Sequence, residues 1–307
     1  MSTLRTAVGS VSLPNPVLTA SGTAGHGAEL AHYFPLDRLG AVVVKSLSAG
    51  PWPGNPAPRV HEASGGMLNS VGLQGPGVTA WLDDDLPALV ACGARVVASI
   101  WGRTVDEFAA AAKLLAGASA TVVAVEVNLS CPNLDGGRHL FAQSEAATTD
   151  VIEAVVDAID RPVWAKLTAA VTSIASIAEA AAGAGAEALT LINTMLGMAI
   201  DVDTRTYRLG SGSGGGGLSG PSIHPIAVRA VHDVHAALPH LPIVGVGGVR
   251  TGVDAVELLL AGASAVQVGT ATFADPRAPL RVLEQLEAWC ARRGVRTISE
   301  IIGGVHG

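Results

Sequence analysis

Along most of the chain, runs of β-branched and small apolar residues alternate with stretches in which Ala, Leu and Val recur at i, i+3 and i+4. The first pattern marks buried strands, the second helices that bury one face. Strands are expected over 17–20, 41–45, 95–100, 122–128, 162–167, 187–193, 242–246 and 264–269. Helices are expected over 27–37, 77–91, 104–116, 146–159, 173–184, 223–237, 252–261 and 276–293. Several helical stretches open on Thr, Ser or Asp, whose side chains cap a helix start. Eight β units alternating with eight α units predict an α/β fold, a (β/α)8 TIM barrel. A doubly wound open sheet is the rival, but no early G-x-G-x-x-G supports it. Residues 4–13 alternate around Gly9-Ser10 as a short N-terminal β-hairpin able to plug the bottom of a barrel. Two inserted loops, 46–76 after strand two and 195–222 after strand six, fall on the C-terminal face, where barrel enzymes build lids and pockets. The second holds a glycine-rich run from Gly210 to Gly217, of which residues 210–216 read equally well as a flexible spacer. No change of composition divides residues 1–307, so a single domain is expected.

The fourth strand carries the most chemistry. Its apolar run, Val122-Val123-Ala124-Val125-Glu126-Val127, ends in Asn128-Leu129-Ser130-Cys131-Pro132-Asn133, an amide, a hydroxyl, a thiol and a proline that stops the strand. A buried Cys before a turn is the plain alternative for Cys131. The other strands end similarly: Ser21-Gly22, Lys45-Ser46, Ser99, Lys166, Asn193-Thr194, Gly247-Gly248 and Gly269-Thr270. Each unit thus brings a hydrogen-bonding group or bare backbone to one rim, a regularity that core packing does not require. The glycines closing strands seven and eight suit a phosphate held on backbone N–H groups, with glycines that only make tight turns as the lesser alternative. Asn69, Asn128 and Asn193 each pair a donor with an acceptor, as the edge of an imide or ureide ring demands. Glu126 must point into the barrel or be paired, and the sequence leaves the choice open.

Composition narrows the partners. Hydrophobic residues make up 49% and charged ones 15% of 307 residues, enough for a large core. A net charge of −7 without a basic cluster argues against nucleic acid. No run is long enough to span a bilayer and the amino terminus lacks a signal-peptide pattern, so no membrane association and a cytoplasmic location are expected. Three cysteines, Cys92, Cys131 and Cys290, make neither a disulfide framework nor a metal knuckle. No metal is expected from the scattered His224, His232, His235 and His240 or from Asp83-Asp84-Asp85 either. Of 19 basic residues only Lys45, Lys113 and Lys166 are Lys, and two of those close strands. A compact ammonium is therefore wanted there.

From Asn15 to about Arg277 the chain resembles the FMN-dependent dihydroorotate dehydrogenases, class 1B catalytic subunit. The likeness is carried by Ala20-Ser21-Gly22-Thr23, Gly54-Asn55-Pro56-Ala57-Pro58-Arg59, Gly66 to Gln74, Asn128 to Asn133, Ala165-Lys166-Leu167, Ile192-Asn193-Thr194, Gly216 to Pro221 and Gly269-Thr270. The resemblance implies oxidation of dihydroorotate to orotate in pyrimidine biosynthesis. It implies FMN across the barrel mouth, its phosphate on Gly220, Gly247, Gly248, Gly269 and Thr270, with Ser21, Lys45, Ser46, Ser99, Asn128, Lys166 and Ile192 along the rest. It implies substrate on Lys45, Asn69, Ser70, Val71, Gly72, Leu73, Asn128, Asn193 and Thr194. Cys131 would be the catalytic base, on a loop (131–143) closing over the substrate with Lys45 beside it. A homodimer is implied, and a heterotetramer with a subunit bearing FAD and a [2Fe–2S] cluster that passes electrons to NAD⁺. This chain has no cysteine set for such a cluster.

Three positions depart from the family pattern: Ser99 stands for Asn, Ala169-Ala170 for Pro-Asn, and Ser173 for Asp. Ala98-Ser99-Ile100 is similar instead to the dihydropyrimidine dehydrogenases, which makes uracil or thymine reduction an alternative. A non-catalytic barrel binding a phosphorylated ligand is another, against which Cys131, Lys45 and Lys166 speak.

Overall fold

The computed structural model describes residues 3–130 and 141–307. Its centre is a ring of parallel strands: β1 (Val17–Thr19), β2 (Val42–Val43), β3 (Val96–Ile100), β4 (Val122–Asn128), β5 (Val163–Leu167), β6 (Ala188–Leu191), β7 (Ile243–Val246) and β8 (Ala265–Val268). Neighbours in the sheet are neighbours in sequence, with β1 beside β8. The ring closes where β1 meets β2, through Gly40 N–H donating to Val17 O at 2.8 Å and Thr19 N–H to Ala41 O at 3.3 Å. This is the (β/α)8 barrel expected from the alternation.

Strand period sorts the residues into two shells. Successive side chains point to opposite faces, so on β4 Val125 and Val127 pack outward with the helices while Ala124, Glu126 and Asn128 face the barrel axis. The lower interior is apolar. Leu18, Val43, Val97, Ala124, Trp164, Ala188, Val244 and Ala265 form one cluster with Val8, Val11 and Leu13 of the N-terminal hairpin, whose strands are Thr6–Val8 and Val11–Leu13. The hairpin therefore stops the barrel from below, as expected. One step higher the interior turns polar, with Ser99, Glu126, Lys166, Thr190 and Gln267 all buried.

The outer helices largely follow the sequence pattern. Thr104 caps Val105–Leu115, Ser144 caps Glu145–Ala158, and Thr251 with Asp254 forms a capping box on Gly252–Leu260. Ser173, one of the departures from the family pattern, caps Ile174–Gly183 by accepting from the Ser176 amide, so a hydroxyl does the capping there. The expected helix over 27–37 is absent: two 3₁₀ turns, Glu29–His32 and Leu36–Arg38, take its place. Leu30, Phe34 and Leu36 are buried as their spacing demands, but Pro35 lies in the gap between the turns, where a continuous helix would need its N–H. The last expected helix, 276–293, forms as Ala278–Arg293 with Pro279 in its first turn, and a separate short helix, Ala271–Ala274, precedes it.

The two inserted loops are not separate. Val60–Ala63 and Gly66–Asn69 from the first, Gly215–Ser219 and Met195–Met198 from the second, make one four-stranded antiparallel sheet. Only the end of the glycine run, 215–217, is strand; 210–214 lies outside any strand. Gly217 pairs with Asn69 and Gly216 with Gly197.

Candidate functional site

The carboxyl ends of the barrel strands meet in a chain of hydrogen bonds. Asn193 Nδ2 donates to Asn128 Oδ1 at 3.1 Å, and Asn128 Nδ2 donates to Ser46 Oγ at 3.1 Å. The Ser46 hydroxyl lies 2.9 Å from that of Ser99 and 3.1 Å from that of Ser21. A hydroxyl has one proton and two lone pairs. With Asn128 already donating to it, Ser46 can donate to one of these serines and accept from the other. Five strand ends, those of β1, β2, β3, β4 and β6, are so locked into one polar rim. Ser99 holds its place in that rim through Ser46, which is what a hydroxyl rather than an amide achieves at this position. Asn128, Ser46 and Ser99 are buried and Ser21 and Asn193 partly open.

Beneath the rim lies a fully buried carboxylate. Glu126 Oε1 accepts from Lys166 Nζ at 3.3 Å, and its Oε2 accepts from Thr190 Oγ1 at 3.0 Å and Gln267 Nε2 at 2.7 Å. Glu126 therefore both points inward and is paired. Thr190 and Gln267 were not singled out by the sequence. Their signal is a polar residue at an inward position of an apolar strand, as in Ala265-Val266-Gln267-Val268.

To one side of the rim the backbone is bare. Gly248 has φ +71°, and a Cβ there would lie 2.6 Å from His224 Cβ and 2.9 Å from Gly220 O. At Gly220, with φ +97°, a Cβ would lie 2.8 Å from Gly66 Cα, 3.3 Å from Gly65 O and 3.7 Å from Thr270 Cγ2. Thr270 Oγ1 donates to Ser219 Oγ at 2.7 Å, and Gly247 O lies 2.8 Å from His224 Nδ1. The ends of β7 and β8 and the turn before the helix His224–Ala237 thus meet as bare, closely packed backbone that leaves no room for a side chain at Gly220 or Gly248. Such bare backbone fits a phosphate group.

Over the rim lies the antiparallel sheet. Asn69 Nδ2 donates to Gly217 O at 3.3 Å, and a Cβ on Gly217 would overlap the Thr194 hydroxyl. Asn69 and Thr194 are so brought together across a glycine. Ser70, Val71 and Gly72 are tied to the loop at Asn55: Asn55 Nδ2 donates to Ser70 O at 3.0 Å, the Val71 carbonyl accepts from Asn55 N–H at 3.1 Å, and Gly72 packs on the Asn55 side chain. The Ser70 hydroxyl is buried without a partner among the described residues. Leu73 takes φ +61° and packs against the core. Ile192 is buried at the end of β6. Lys45, at the end of β2, is partly buried, and its amide donates to Gly25 O at 3.0 Å. Beside it is His26, which the sequence did not mark as functional. Burial and the Lys45 ammonium hold the His26 imidazole below its ordinary range, and its Nε2 is buried without a hydrogen-bond partner among the described residues. Cys131 lies outside the described residues, as does the loop to 140.

A parallel barrel with a polar rim at the carboxyl ends of its strands and inserted strands above it has the layout of the (β/α)8 enzymes, which carry their sites on that face. The chain belongs to the dihydroorotate dehydrogenase family, whose model matches residues 3–289. It is 48% identical over 300 residues to the dihydroorotate dehydrogenase B (NAD(+)) catalytic subunit of Desulforudis audaxviator, covering 98% of this chain and 96% of that one. To the protein of the same name from Alkaliphilus oremlandii it is 45% identical over 96% of each chain, and to that of Geobacter sulfurreducens 44% over 97% of each. Among the described residues no helix is long and apolar enough to cross a membrane.

Proposed function

We propose that this chain oxidises dihydroorotate to orotate in pyrimidine biosynthesis, as the catalytic subunit of an NAD⁺-linked dihydroorotate dehydrogenase with FMN as its cofactor. The observation that carries the reading is the family match over nearly the whole chain. The site geometry supports it. Gly220, Gly247, Gly248, Gly269 and Thr270 would hold the FMN phosphate, and Ser21, Lys45, Ser46, Ser99, Asn128, Lys166 and Ile192 the ribityl and ring portions. Bound FMN would supply the hydride acceptor.

The chain's own residues do the rest. Lys45 with Asn69, Ser70, Val71, Gly72, Leu73, Asn128, Asn193 and Thr194 would orient dihydroorotate, a ring whose edge alternates donors and acceptors. The sheet above the rim excludes water. Cys131, the residue after Ser130 in sequence, would take the C5 proton on the face away from the flavin. Lys166, at the level of Asn128 in the β4–β5 register, would set positive charge against the pyrimidine end of the ring as it gains electrons. With three cysteines in the chain, the electron path to NAD⁺ belongs to a partner subunit. We assign to that partner FAD and a [2Fe–2S] cluster, to the catalytic chain a homodimer, and to the assembly a cytoplasmic heterotetramer. Uracil or thymine reduction and a non-catalytic phosphate-binding barrel are not favoured by this family membership.

Anaerobic mixing tests the reading. Purified protein loaded with FMN is expected to lose its flavin absorbance with dihydroorotate and keep it with dihydrouracil. The rate of that bleaching is expected to rise from neutral to alkaline pH, because a free thiol ionises near ~8.5. Bleaching by dihydrouracil alone, or no uptake of FMN, would overturn it.

A further inference from the structure

We propose that Glu126 is the positioning residue for Lys166: a carboxylate sealed inside the barrel that aims the Lys166 ammonium at the ligand above it. The inference rests on the reading of Lys166 as a flavin contact and adds to it a group that touches neither flavin nor substrate. Glu126 has no solvent exposure. An ionised carboxylate survives there only with its lone pairs satisfied, and three strands satisfy them. Lys166 on β5, Thr190 on β6 and Gln267 on β8 all donate to it. Gln267 Oε1 also lies 3.5 Å from Lys166 Nζ. An ammonium has three N–H bonds. Glu126 and Gln267 take two of them below the rim, and among the described residues the third is left for the mouth of the barrel.

The carboxylate cannot be exchanged for its amide. Three donors converge on two oxygens, and an amide offers one oxygen and one NH₂. In whichever orientation a glutamine sits, its NH₂ faces a donor, either Lys166 Nζ or the Thr190–Gln267 pair. Apolar packing would have been served by Val or Ala at 126, as at 122–125. The three-donor arrangement serves instead to fix a charge in direction.

Sulfite reports that direction. It adds to oxidised flavin and leaves negative charge on the pyrimidine side of the ring, so its affinity follows the positive charge placed there. If Glu126 only adds a negative charge beneath the site, Glu126→Gln tightens sulfite and raises the flavin midpoint potential. If it aims Lys166, the same change does the opposite. We expect sulfite binding weakened about tenfold in E126Q, with a midpoint lowered by about 30 mV for the same tenfold change in a two-electron couple. Thr190→Val keeps the charge and removes one donor, and is expected to weaken sulfite about threefold, which carries the test if E126Q fails to fold. Adding E126Q to Lys166→Met is expected to weaken sulfite no further. Tighter or unchanged sulfite binding in both E126Q and T190V, or full additivity with K166M, would overturn the proposal. Wild-type protein that takes up no FMN would instead remove the reading on which it rests, an outcome seen before any variant is made.

Discussion

Replacing Gly248 by Ala should empty the phosphate cradle while leaving the barrel folded. Two costs are legible. At φ +71° an alanine pays about 1–2 kcal/mol for the left-handed conformation. Its Cβ would also sit 2.6 Å from His224 Cβ and 2.9 Å from Gly220 O, an overpacking of the kind that costs about 1–3 kcal/mol. Together they approach but do not exceed the ~5–15 kcal/mol that holds an ordinary domain folded. The relief available is for the Gly220 turn and the His224 helix to move apart, and that widens the cradle. Losing one hydrogen bond to a charged phosphate is worth about 1.5–3 kcal/mol, so FMN affinity should fall at least tenfold. Gly294 is the control. It has φ +70° with nothing among the described residues within 4 Å of its Cβ position, at the C-terminus of Ala278–Arg293. Gly294→Ala should lose about 1–2 kcal/mol and bind FMN unchanged. Urea unfolding of the apoprotein and fluorescence titration with FMN measure the two quantities separately. FMN affinity in G248A within twofold of wild type would refute the reasoning, because the cradle would then lie elsewhere.

Three further outcomes follow from the same geometry. Ser46→Ala removes the hydroxyl that joins Asn128, Ser21 and Ser99; it should cost about 1–3 kcal/mol in urea unfolding and weaken FMN. Trp164→Ala, at the apolar floor of the barrel, should cost about 3–5 kcal/mol. Trp164→Phe should cost clearly less, since among the described residues the indole N–H has no partner to lose. Burial, with His306 and His232 nearby, holds His235 below 6.5. The unfolded chain therefore takes up that proton first, and the stability contributed by the neutral ring is complete above about pH 6.5 and is lost as pH falls below it. His235→Gln should flatten the acid limb of a stability–pH curve measured by thermal melting, and an unchanged limb would show that His235 does not set it.

Much of this was legible in the residues because a barrel repeats one rule eight times. β-branched runs ending in polar groups placed Ser21, Ser46, Ser99, Asn128 and Asn193, and the structure joins them by hydrogen bonds. What the pattern missed involves contacts between units. The helix over 27–37 failed because the apolar spacing of Leu30 and Phe34 reports burial, which two 3₁₀ turns around Pro35 meet equally well. Glu126 could not be oriented because its partners, Thr190 and Gln267, stand 64 and 141 residues away. The glycine run looked like a spacer because its strand partners, Asn69 and Gly197, lie in other segments. His26 was passed over because only the fold sets it beside Lys45.

The sheet above the rim has a consequence for how such an enzyme can change. Its inner strands, Gly66–Asn69 and Gly215–Ser219, come from loops on opposite sides of the barrel mouth yet share one backbone ladder. A residue added to or removed from either strand shifts the pairing of both and swaps which side chains look down at the barrel mouth. Pocket specificity is therefore inherited as a matched pair of segments, and a loop transplanted alone from a relative would arrive out of step with its neighbour.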